Sequence, residues 1–217
     1  MTGEVLDLGR IDYKEAWDLQ RRLMEQRALD EIPNTLILLE HEHVITLGKK
    51  TSPENFRPQS VPVYQVERGG DATYHGPGQL VGYPIVKLAD HDVRRHVARI
   101  EQALVRTLER FQIRGELIPS HPGVWVVGRK IASIGVAVSN WVTYHGFALN
   151  VNTDLSYFEL IRPCGMDPLT MTSMEAILGR QVDLDDLKVI VAEEFAAAEQ
   201  EEYVPGRLPD ASRLTVK

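Results

Sequence analysis

The sequence predicts an α+β chain of mixed, mostly antiparallel sheets packed with helices. Strand-like runs come in groups rather than alternating strictly with helices, and three follow one another over 123–151. One segment, Asp92 to about Phe111, places Val93, Val97, Ile100, Leu104, Leu108 and Phe111 at helical spacing. With 217 residues, 43% hydrophobic and 25% charged, the chain can sustain one large core and has the composition of a globular enzyme. One domain over 1–217 is expected, with 205–217 an irregular tail holding Pro205 and Pro209.

Residues 3–8 read as a strand. Asp12 with Glu15 three later resembles a capping box and opens a helix over roughly 12–29, whose apolar face takes Ala16, Leu19, Leu23 and Met24. The run Leu36-Ile37-Leu38-Leu39 within 34–40 suits a buried strand. Val61–Val66 and Leu80–Leu88 are further strands, separated by a glycine-punctuated block. After the helix from Asp92, strands over Gly123–Val127, Lys130–Ser139 and Trp141–Val151 form a meander of hairpins, with Arg129 and Asn140 near their junctions. A last helix covers Asp185 to about Glu201.

Bulk features narrow the function. A single cysteine cannot form an internal disulfide, which fits a reducing compartment. Residues 1–10 lack the basic-then-apolar pattern of a signal peptide, and no apolar run reaches membrane-spanning length, so a cytoplasmic protein without membrane contact is expected. The formal charge of −7 argues against broad nucleic-acid binding. A local cluster of Arg94, Arg95 and Arg99, with Lys49, Lys50 and Arg57 in a loop, suits either an acidic partner or a solvated helix face.

The lone cysteine, Cys164, lies between Pro163 and Gly165 on a predicted tight bend. A thiol needs a cation, a base or a helix N-terminus nearby to become a useful nucleophile; the alternative is an inert core thiol. Lys130 opens the apolar run 131–138, either as a solvated strand end or as an ammonium pointing into a pocket, where it would stabilise a thiolate. In the glycine block, Gly76-Pro77-Gly78-Gln79 fits a type II turn, and Thr73, Tyr74 and His75 precede it. A plain hairpin turn would have the same pattern. His41, His43 and His145 do not complete a set with metal-ligand spacing, so no metal is expected. No Gly-x-Ser-x-Gly elbow is present.

Five blocks in order, from Leu38 to Ser173, resemble the octanoyl-[acyl-carrier-protein]:protein N-octanoyltransferases of lipoate biosynthesis. They are Glu40-His41 with Val44-Ile45-Thr46-Leu47-Gly48; Arg68 to Gln79 with Tyr83-Pro84; Gly123-Val124-Trp125-Val126 leading to Lys130-Ile131-Ala132 and Ile134-Gly135; His145 to Val151; and Pro163-Cys164-Gly165. Ile45 stands where an aromatic residue is common and Met166 where a branched aliphatic is usual.

The resemblance implies the α/β catalytic domain shared with lipoate and biotin protein ligases. It implies a Cys164 acyl-thioester intermediate and a Lys130 that lowers the thiol's pKa and shuttles protons. Substrate binding would fall on Arg68, Gly69, Gly70, Asp71, Ala72, Thr73, Tyr74 and His75, on Ser133, Ile134 and Gly135, and on Gly146, Phe147 and Ala148. The implied partners are octanoyl-acyl carrier protein, whose own phosphopantetheine carries the donor acyl group, and lipoyl-domain proteins such as dehydrogenase E2 subunits and the glycine cleavage H protein. No further cofactor is implied. An ATP-dependent lipoate or octanoate ligase on the same fold is the rival reading.

Overall fold

The computed structural model describes residues 2–51, 61–119, 121–161 and 170–207. In chain order the strands are β1 (Gly3–Ile11), β2 (Thr35–His41), β3 (Val44–Leu47), β4 (Val63–Gln65), β5 (Thr73–His75), β6 (Gln79–Ile85), β7 (Glu116–Ile118), β8 (His121–Val126), β9 (Arg129–Ser139), β10 (Val142–Asn150) and β11 (Tyr203–Pro205). The helices are α1 (Tyr13–Ala28), α2 (Val93–Arg110), α3 (Met174–Leu178) and α4 (Leu184–Glu199), with a 3₁₀ turn over Leu155–Leu160. Eight strands form one sheet in the order β11-β1-β2-β6-β10-β9-β8-β7, and β4-β3-β5 form a smaller one. Pairing is parallel at β11–β1, β1–β2 and β3–β4 and antiparallel at the other joins. The expected mixed, mostly antiparallel architecture holds.

The apolar run in β2 is continuous because both faces of the large sheet are covered. Leu36 and Leu38 join the core under α2 and α4, while Ile37 and Leu39 join the core under α1. Asp12 caps α1, its Oδ1 accepting from the Lys14 and Glu15 amides at 2.7 and 3.2 Å. The expected stripe of Ala16, Leu19, Leu23 and Met24 is buried. Asp92 Oδ1 caps α2 at the Arg95 amide, 3.0 Å away, and Ile100, Leu104 and Leu108 pack beside Val191 and Phe195 of α4. Two of the three clustered arginines have local partners: Arg95 pairs with Asp90 at 3.0 Å and Arg99 with Glu199 at 2.8 Å.

The meander from β8 to β10 also holds. Val127-Gly128 (φ 48°, 73°) and Asn140-Trp141 (φ 51°, 60°) make its turns, the paired positive φ values of type I′ hairpins. Elsewhere the structure differs from expectation. Thr73–His75, read as the lead-in to a turn, is strand β5 and pairs with β3, a strand too short to show periodicity. Val61–Val66 shortens to β4 and belongs to the small sheet. The tail begins later than Pro205, because Tyr203–Pro205 pairs in parallel with Gly3–Val5; positions 208–217 lie outside the described residues. The short β7 and α3 were also not foreseen.

Candidate active site

Lys130 is placed by a local irregularity. Val124 pairs with Ala132 and Trp125 with Lys130, so Ile131 is an extra residue on β9, a bulge that redirects neighbouring side chains. Lys130 is 7% exposed, and its Nζ lies 5.5 Å from the centre of the Trp125 ring. Gly123 makes room for it. A Cβ there would stand 2.7 Å from Lys130 Cε and 3.3 Å from Nζ, and would press on the Ala132 carbonyl. Gly123 also has φ +124°, a conformation open to glycine. Its amide donates to Glu101 Oε1 of α2 at 3.0 Å, which fixes this approach.

The chain resumes after 162–169 directly beside Lys130. Met171 pairs with Lys130, and the Thr172 amide donates to the Lys130 carbonyl at 3.0 Å. Cys164, with Pro163, Gly165 and Met166, lies outside the described residues.

Three residues along β9 from Lys130, a small cavity opens between the two sheets and α1. Arg68, His75, Ser133, Ile134, Gly135, Gly146, Phe147 and Ala148, all expected at the substrate, line it together. The rest of the glycine block frames it from behind. Gly69 donates to the Val136 carbonyl at 3.0 Å, tying the block to β9, and Gly70 (φ +84°) accepts from the Lys50 amide at 3.0 Å. Asp71 Oδ1 accepts from the Ala72 amide at 2.7 Å, Ala72 packs with Ile45 and Phe158, and Thr73 pairs with Thr46. Tyr74 is fully buried, its hydroxyl 2.8 Å from His43 Nδ1. The expected turn is present: Gln79 N–H donates to Gly76 O at 3.1 Å, with Gly78 at φ +78°.

Tyr13, Tyr83 and His145 complete the lining and were not foreseen. Tyr13 arrives from the first turn of α1, which no motif marks, and Tyr83 from β6, beside Pro84 in the second of the resembling blocks. His145, inside one of the blocks but not among the expected substrate residues, sits in β10 with φ 55°, a strained conformation for a non-glycine strand residue. The side chain of buried Gln20 on α1 steadies it, Oε1 accepting from the His145 amide at 2.8 Å.

The histidines around the cavity are uncharged. Burial, reinforced by the Arg68 charge, pushes His145 down to about 4, and burial does the same to His41. Burial also holds His75 well below its ordinary value. These rings are therefore neutral at neutral pH. His145 Nε2 stands 3.6 Å from Glu67 Oε2, beyond hydrogen-bond length. Arg68 is the cation of the lining and donates from Nη2 to the Thr46 carbonyl at 2.7 Å and from Nη1 to the Gly69 carbonyl at 3.0 Å. His41 donates from Nδ1 to Ile11 O and accepts at Nε2 from the Tyr83 hydroxyl, so it braces the wall. Among the described residues no cluster of metal-ligating side chains occurs.

Comparison with known proteins agrees with this geometry. The lipoyl protein ligase A/B catalytic domain matches residues 12–196. An octanoyltransferase of Syntrophobacter fumaroxidans is 42% identical over 219 aligned positions, covering 97% of this chain and 96% of the relative. One from Solibacter usitatus is 47% identical, covering 92% and 94%. A solved bi-partite lipoate protein ligase from Thermoplasma acidophilum, studied with its E2 lipoyl domain, superposes with a TM-score of 0.76 at 16% identity, covering 99% of this chain and 90% of that one. That last likeness shows a shared fold. Extensive identity along nearly the whole chain, together with a catalytic-domain match spanning the cavity and Lys130, leads to the conclusion that this chain belongs to the octanoyltransferase family, acyltransferases built on the lipoyl protein ligase A/B catalytic domain.

Proposed function

We propose that the chain moves an octanoyl group from octanoyl-acyl carrier protein to the lysine amine of lipoyl domains through a thioester on Cys164. The observation that supports this most is the position of buried Lys130. It stands beside Met171, where the chain returns from the segment carrying Cys164, and on the same strand as the cavity residues Ser133 to Gly135.

In the first half-reaction the Cys164 thiolate, stabilised by the Lys130 ammonium, attacks the donor thioester. The C–S bond to the carrier's pantetheine breaks, and the departing thiolate takes a proton from Lys130. In the second half the acceptor amine attacks the new thioester, the C–N bond forms, and neutral Lys130 takes the amine's surplus proton as the Cys164 thiolate leaves. The activated donor makes ATP unnecessary, and no further cofactor enters.

The apolar surface of Ile134, Phe147 and Ala148 suits an uncharged chain. At ~0.8 kcal/mol per buried methylene, octanoyl's seven carbons beyond the carbonyl contribute on the order of 5 kcal/mol. Acceptors of this reading are lipoyl-domain proteins, dehydrogenase E2 subunits and the glycine cleavage H protein among them, and the setting is the cytoplasm. The described residues contain no helix long and apolar enough to cross a membrane. Pairing of β1 with β11 supports one domain for the whole chain.

Intact-mass measurement after incubation with octanoyl-acyl carrier protein, without ATP, tests the reading. An added octanoyl group, removable by hydroxylamine and absent in Cys164→Ser, is the expected result. Acceptor octanoylation that never passes through such an adduct, or activity restored only by free octanoate plus ATP, would refute it, the latter in favour of the ligase.

A further inference from the structure

Two backbone carbonyls orient a short chain of buried amides behind the cavity. Gln79 Nε2 donates to Tyr74 O at 3.2 Å and to Asn150 Oδ1 at 2.9 Å, and Asn150 Nδ2 donates to Thr172 O at 3.0 Å. Both side chains are 1% exposed. A backbone carbonyl can only accept, so turning either amide over would set oxygen against oxygen. Gln79 Oε1 is thereby committed to His75 Nδ1, 2.8 Å away. An amide oxygen cannot donate, so Nδ1 carries the ring proton. Burial keeps the imidazole neutral, which makes Nε2 a bare lone pair on a ring that lines the cavity.

The reacting partners differ in what they can offer that lone pair. At its reacting atoms a thioester brings a carbonyl oxygen and a sulfur, both acceptors. The attacking amine is the reactant that brings N–H. We infer that His75, held in the Nδ1–H tautomer by Gln79 and Asn150, offers Nε2 as the hydrogen-bond acceptor for the incoming acceptor-lysine amine, with Gln79 and Asn150 as positioning residues. This rests on the transfer reaction proposed above. His75 orients the nucleophile by holding one N–H and takes no proton; the surplus proton goes to Lys130 as described. The same bonds coordinate the two sides of the site, since Thr172, which Asn150 grips, also donates to the Lys130 carbonyl.

Long-range ¹H–¹⁵N imidazole spectra of the full chain, with His75 assigned through His75→Gln, read the tautomer directly. The native protein should show Nδ1–H at neutral pH, against the Nε2–H form that free imidazole side chains favour. Gln79→Met removes the oxygen at Nδ1 and should release the ring toward Nε2–H. In that variant, octanoyl-acyl carrier protein should load the enzyme at the native rate, while discharge of the preformed acyl-enzyme to a lipoyl domain slows on the order of tenfold, the effect of losing one oriented hydrogen bond. A native Nε2–H ring or an imidazolium would overturn the inference, and that spectrum decides even if Gln79→Met does not fold. Equal slowing of both half-reactions, or of neither, would overturn it as well. Failure of the native protein to form any acyl-enzyme would instead defeat the transfer reading, and the role assigned to His75 with it.

Discussion

Replacing Gly123 with alanine perturbs the site where the backbone passes Lys130, and the structure sets the cost. The added methyl would meet Lys130 Cε at 2.7 Å and crowd the Ala132 carbonyl, on a backbone at φ +124°. The conformation alone costs an alanine ~1–3 kcal/mol. Crowding in a packed interior adds ~1–3 kcal/mol. The sum, roughly 2–6 kcal/mol, is a large part of the ~5–15 kcal/mol that holds a domain folded. For a chain of this size it lowers Tm by roughly 5–20 °C.

Gly128 supplies the matched control. It lies in the next hairpin turn at φ +73°, and a Cβ added there would meet nothing within 4 Å, so Gly128→Ala carries only the conformational part, about 1–2 kcal/mol. Thermal melts and octanoyl transfer are measured on both variants. Gly123→Ala should melt well below Gly128→Ala and lose most of its transfer activity through displacement of the Lys130 side chain. Equal melting temperatures with full activity in both would refute the claim that Gly123 is there to admit Lys130.

Lys130→Arg keeps the charge but cannot give up a proton near neutrality, so transfer should fall by at least ~10²-fold, measured as acceptor octanoylation; full activity would leave Lys130 a purely electrostatic role. His41 provides a pH test. Its folded pKa of about 4 lies below the ordinary 6.5, so the unfolded chain takes up the proton first as pH falls. Its contribution, ~3 kcal/mol, is therefore complete above about pH 6.5 and lost toward pH 4. Urea midpoints should fall between pH 7.5 and 5, less steeply in His41→Gln, and a flat profile would contradict the assignment. Asp12→Ala removes the α1 cap and should cost about 1 kcal/mol with transfer kinetics unchanged, read from urea unfolding.

Legibility of the fold in the sequence followed element length. The α2 periodicity and the apolar runs of β8 to β10 each span enough residues for their period to declare itself, and the structure has them where that period puts them. β5, β7 and β11 are three residues each, too short for alternation to register, and exist because a neighbouring strand pairs with them. The site divides in the same way. Arg68, His75 and 133–135 sit in contiguous blocks, so a pattern could find them. Tyr13 reaches the cavity because α1 crosses the sheet beside β6 and β10. That crossing is a property of topology with no local trace. Gln79 was visible only as the end of a turn; its bond to Asn150 spans 71 residues of sequence.

The pairing of β1 with β11 carries a consequence for biosynthesis. Of the described elements β1 is synthesised before all the others and β11 after them. Until then Gly3–Val5 presents an open row of amides and carbonyls, a template for strands of other molecules. The cavity and Lys130 depend on β5, β6, β9 and β10, which are complete earlier. A nascent chain can thus assemble the cavity while the outer edge of β1 is still open, so β11 covers that edge and adds nothing to the cavity lining.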